Sequence, residues 1–76
     1  MRENTYVIDV NVRDGQHDFL VARMDGFGLT AVRDNYNEFK DIFELRFDVP
    51  DKIKDNVMDF LDEYNFKRWC TPNLSG

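Results

Sequence analysis

Along the run TYVIDVNVR, Tyr6, Ile8, Val10 and Val12 alternate with Val7, Asp9, Asn11 and Arg13. A period of two places each set on its own face, so this run reads as a half-buried strand. Phe43, Leu45, Phe47 and Val49 alternate in the same way with Glu44, Arg46 and Asp48, which predicts another strand over DIFELRFDV. Pro50 ends that strand and suits the first turn of a helix. Beyond it, Ile53, Val57, Phe60, Leu61 and Tyr64 recur at helical spacing, the clearest element signal in the chain, with Asn65 as a cap. FKRWC can return as a last strand, and TPNLSG reads as a frayed tail.

The middle of the chain is harder to place. Asp14-Gly15 is a hairpin signal, because both central positions of a tight I′ turn need positive φ. DFLVARM, apolar on both faces from Phe19 to Ala22, then reads as an interior strand. Asp25-Gly26 and Asp34-Asn35 read as further turns, with GLTAVR as a short strand between them. The expected fold is a single α+β domain over residues 1–71, with residues 72–76 as a flexible tail. It is a meander of three to four antiparallel strands, joined by the C-terminal strand, with one amphipathic helix packed on one face. Val32, Tyr36, Phe39 and Phe43 are also spaced like one helix face. A second helix near residues 30–41 would give a ferredoxin-like sheet instead. RDNYN strings together residues that favour turns over helix interiors, so the meander is preferred.

Gly26-x-Gly28-x-x-Ala31 matches a dinucleotide-binding fingerprint, with Asp48 downstream as a ribose-binding acid. A chain of 76 residues has no room for two mononucleotide-binding halves, and the segment after the glycines makes a poor helix. The expectation is a turn at Gly26 and a bulge or close backbone approach at Gly28.

Composition narrows the classes further. With 42% hydrophobic and 14% aromatic residues, a core is within reach of so short a chain. The single Cys70 excludes an internal disulfide and fits a reducing cytosol. MRENTYVIDV lacks a signal-peptide core and no run reaches membrane-spanning length, so a cytoplasmic protein without a membrane role is expected. One His and one Cys, far apart, make no metal site. Ser75, the only serine, lies in the tail, and a His17–Cys70 dyad is set aside in favour of a partly buried structural cysteine. No cofactor, metal or catalytic group is expected, and the chain reads as non-enzymatic.

What remains is charge. A net charge of −5 repels nucleic acid and favours basic partners, including proteins that handle nucleic acid. At about 100° per residue, Asp51, Asp55, Asp59, Asp62 and Glu63 fall within an arc of about 120° opposite the apolar stripe. Steps of four residues space the first three carboxylates by about 6 Å, comparable to successive phosphates on one strand. Lys52 sits inside the stripe and weakens the mimicry. Lys67, Arg68 and Trp69 form a basic-aromatic corner that would be a secondary contact. In size, acidity and lack of reactive groups the chain resembles small phage-encoded inhibitors of host defence or nucleic acid enzymes, in type rather than by motif. The expected function is therefore a small acidic module that binds and inhibits a basic, nucleic-acid-handling protein through the helix face. The alternative is a structural or regulatory subunit that acts as a homo-oligomer through a sheet edge.

Overall fold

A computed structural model describes residues 4–73. Along the chain run β1 (Thr5–Val12), α1 (Asp14–Gly26), β2 (Arg33–Asn37), β3 (Ile42–Pro50), α2 (Asp51–Glu63) and β4 (Lys67–Asn73). The strands make one sheet in the order β2-β3-β1-β4, each antiparallel to its neighbours. This small α+β domain has a ferredoxin-like βαββαβ topology. The meander is thus corrected. The second helix of the alternative fold is present, but at Asp14–Gly26 rather than near residues 30–41.

β1 and β3 form as their alternation predicts. The register pairs Tyr6 with Val49, Ile8 with Phe47, Val10 with Leu45 and Val12 with Phe43, so the two apolar faces meet row by row. Both helices lie on that face. Leu20 and Met24 of α1 and Val57, Phe60 and Leu61 of α2 close over Ile8, Val10, Leu45, Phe47 and Val49. Among the described residues, none of the buried side chains is polar or charged. Phe19 and Tyr64 meet edge-on, 5.1 Å between ring centroids, and Arg23 lies 4.9 Å from the Phe60 centroid, so an aromatic seam joins the helices.

Asp14-Gly15 opens a helix instead of turning a hairpin, with Arg13 as the extended residue before it. The carboxylate of Asp14 sits at the positive end of the helix, which favours this start. DFLVARM is therefore helical. Leu20 and Met24, four apart, are fully buried, whereas Phe19 and Val21 beside them are partly exposed.

The glycines of the fingerprint end this helix. Gly26 is its last residue, Phe27 caps it, and Gly28 takes a positive φ of 82°. Gly28 N–H donates to the Asp25 carbonyl at 2.8 Å and Leu29 N–H to the Met24 carbonyl at 2.9 Å, the paired bonds of a Schellman motif. A phosphate cradle needs the start of a helix, where N–H groups are free. Gly28 instead satisfies carbonyls at the finish, and the bulge expected there is replaced by this cap. α2 ends in the same way. Asn65 (φ 59°) donates to the Asp62 carbonyl and Phe66 to that of Leu61, both at 3.0 Å.

GLTAVR is not a strand and Asp34-Asn35 is not a turn. β2 spans Arg33–Asn37, and the chain reverses over residues 38–41, where Asn37 Oδ1 accepts from the N–H groups of Phe39 (3.1 Å) and Lys40 (3.2 Å). β4 is the expected last strand, and it continues through Pro72 and Asn73, which the sequence reading assigned to the tail. Residues 74–76 of that tail lie outside the described residues.

Candidate functional site

Asp51, Asp55, Asp59, Asp62 and Glu63 are all exposed on the outer side of α2. Two of them are partnered. Lys54 Nζ lies 3.2 Å from Asp55 Oδ1, which raises the lysine pKa above its usual value, and Arg68 Nη2 lies 3.1 Å from Asp62 Oδ1. Asp51, Asp59 and Glu63 have no ion pair among the described residues, so the bare part of the stripe is narrower than its sequence.

The Lys67-Arg68-Trp69 corner is divided by the strand that carries it. Arg68 turns toward the helices, where Nη1 donates to the Phe66 carbonyl at 3.1 Å and Nη2 to Asp62, while its buried Nε has no partner among the described residues. It ties β4 to the end of α2. Lys67 and Trp69 remain exposed on the opposite, helix-free face, beside Asn11 and Asp9 of β1.

That open face has its own order. Arg33, Arg46, Asp9 and Trp69 stand in one row across all four strands. Arg46 grips Asp9 with two donors, Nε at 2.8 Å and Nη2 at 3.4 Å. A shallow cavity of about 320 Å³ lies along this row, and Lys40 of the β2–β3 turn joins its lining.

The edge strand β2 is the least covered element. It pairs with β3 on one side only, and four of its five residues are exposed. Val32 just before it, Tyr36 within it and Phe39 in the turn after it are 58%, 48% and 96% exposed. Together with Trp69 at 50%, these are the apolar side chains most open to solvent among those described. The opposite edge, β4, contains Pro72, which lacks a donor and blunts pairing.

His17 fastens α1 to this edge. Its ring lies 4.5 Å from that of Phe43, with Nε2 2.7 Å from Asp34 Oδ2 and Nδ1 3.1 Å from Asp18 Oδ1. A doubly protonated ring donates to both carboxylates, and the hydrogen bond to Asp34 is the main reason its pKa is raised. His17 therefore sits toward the β2 edge, whereas Cys70 is a partly buried residue of β4 at the other edge, so the two form no dyad. Among the described residues, no group of three or more His, Cys, Asp or Glu could hold a metal ion, and no helix is long and apolar enough to cross a membrane.

Sequence reasoning found the acidic residues and Trp69 but missed the β2 edge. The available signal was Phe39, a large apolar residue among polar ones in NEFKD, whose helical spacing with Val32 and Tyr36 runs through residues that favour turns. Comparison with known protein families, curated proteins and solved structures gives no match to this chain.

Proposed function

We propose that this chain is a small non-catalytic regulatory or structural subunit of the cytoplasm, acting as a homodimer joined through the β2 edge of its sheet. The observation that carries this reading is the coincidence of an unpaired strand edge with the exposed side chains of Val32, Tyr36 and Phe39. An open edge offers a row of backbone donors and acceptors, and exposed apolar side chains beside it add area that association removes from water. The charges do not oppose such pairing. In an antiparallel pair of copies centred on Asn35, Arg33 faces Asn37 of the second copy and Asp34 faces Tyr36, so no like charges meet.

Sedimentation across the micromolar range tests it. The expected result is a monomer–dimer equilibrium that Val32→Lys with Phe39→Lys weakens at least about tenfold, or about 1.4 kcal/mol. Both side chains are exposed, so the fold should tolerate them. A monomer at every concentration would remove this reading. The acidic side of α2, chiefly Asp51, Asp59 and Glu63, facing a basic nucleic-acid-handling protein, would then be the stronger proposal.

A further inference from the structure

We propose that the open face of the sheet binds a nucleotide unit, a phosphate joined to a flat base, presented free or within a single-stranded nucleic acid. The proposal is independent of self-association. It begins with how the charges are sorted. The chain as a whole is acidic, yet the cavity of about 320 Å³ on the open face and an adjoining one of about 440 Å³ are lined by Arg13, Arg33, Lys40, Arg46 and Lys67 against only Asp9 and Glu44. Arg46 is already engaged by Asp9.

Arg33 is the telling residue. It stands directly across the β2–β3 ladder from Arg46 as a like-charge pair, and Asp9, which engages Arg46, lies on the far side of it in the row. Among the described residues Arg33 has no ion pair or side-chain hydrogen bond. A phosphate over this row would relieve the repulsion and engage Lys40, which lines both cavities.

Trp69 supplies the second half of the site. It lines both cavities, lies in the same row as Arg33 and Arg46, is half-exposed, and stacks on no other ring among the described residues. A base stacked on its face would cover that surface, and a combination of cations with an open aromatic ring is how unpaired bases are held. The cavity is of the size that small ligands occupy.

Trp69 is the only tryptophan, so its fluorescence reports on this face alone. The probes are AMP, short oligo-dT and oligo-rU, and inorganic phosphate. The expected result is saturable quenching by AMP or an oligonucleotide, weakened by salt. Arg33→Glu with Lys40→Glu should weaken it at least about tenfold while melting at or above the wild-type temperature, since both residues are exposed and the repulsion between Arg33 and Arg46 is removed. Tighter binding of an oligonucleotide assigns the site to nucleic acid, and equal binding assigns it to free nucleotide. The proposal is overturned if neither probe quenches, if the double variant binds as wild type does, or if inorganic phosphate alters the fluorescence as strongly as AMP.

Discussion

α1 and α2 have the same length, thirteen residues, and the same ends: an aspartate at the first position and a Schellman motif at the last. They differ in how their apolar residues are placed around the axis. α2 buries one stripe, Val57, Phe60 and Leu61, and turns its acids outward. α1 buries Leu20 and Met24 beneath it, sends Phe19 sideways to Tyr64, and places Val21 and Ala22 over an apolar groove of about 490 Å³ with Leu29 and Ala31. Its apolar residues therefore spread around the helix. Periodicity in a sequence reports a helix that gathers its apolar residues on one side, and it fades when some of them stay near the surface, as Phe19 and Val21 do.

The largest effect expected from this comparison is in the core. If α1 is anchored as deeply as α2, Leu20→Ala and Leu61→Ala each lose about 2–5 kcal/mol in urea unfolding. A loss below about 1 kcal/mol at Leu20 alone would show that only α2 is a true pillar of the fold. The shared C-terminal motif gives the next effect. At Gly28 an added Cβ meets nothing within 4 Å, so Gly28→Ala isolates the backbone cost of positive φ. That cost is about 1–2 kcal/mol, whereas Asn65→Gly should be neutral or stabilising by up to about 1 kcal/mol. Equal destabilisation by both changes would mean that the asparagine side chain matters beyond its tolerance of that conformation.

The smallest effect separates the helices by pH, because only α1 is fastened by a histidine. The pKa of His17 is raised in the folded state, mainly by its hydrogen bond to Asp34, with partial burial acting in the opposite direction. The charged ring thus contributes in full below the unfolded pKa of about 6.5, and its contribution is lost as pH rises through the higher folded value. The melting temperature of the wild type should exceed that of Asp34→Asn by a margin that shrinks from about pH 6 to about pH 8, on the scale of a surface ion pair, below about 1 kcal/mol. A margin that stays constant or widens with pH would show that His17 is not the source.

What could be read from the sequence follows the same logic. β1, β3 and α2 each present one apolar face to one layer, so their patterns survive in the chain, and Asn65 announces its cap. β2 could not be read this way. Arg33-Asp34-Asn35-Tyr36-Asn37 buries nothing fully and is held by its ladder to β3, and a ladder leaves no mark on composition. The carboxylates of α2 were visible because a surface helix displays its charges by spacing alone. The pairing of Asp62 with Arg68 was not, since Arg68 arrives from another element. The row of Arg33, Arg46, Asp9 and Trp69 lay further out of reach, being assembled from four strands whose register only pairing decides.

The position of β1 has a consequence for how the chain folds in time. β1 lies inside the sheet, between β3 and β4, and every one of its pairings is distant in sequence, from Val12 with Phe43 to Thr5 with Asn73. β2 and β3 are joined by a short turn and can close on each other early, at little cost in loop entropy. β1 must instead wait for β3, which follows α1, and for β4, which follows both helices, and contacts of such span slow folding. During that interval its apolar face and both of its edges stand open, which makes the middle of the finished sheet the most vulnerable part of the unfinished one.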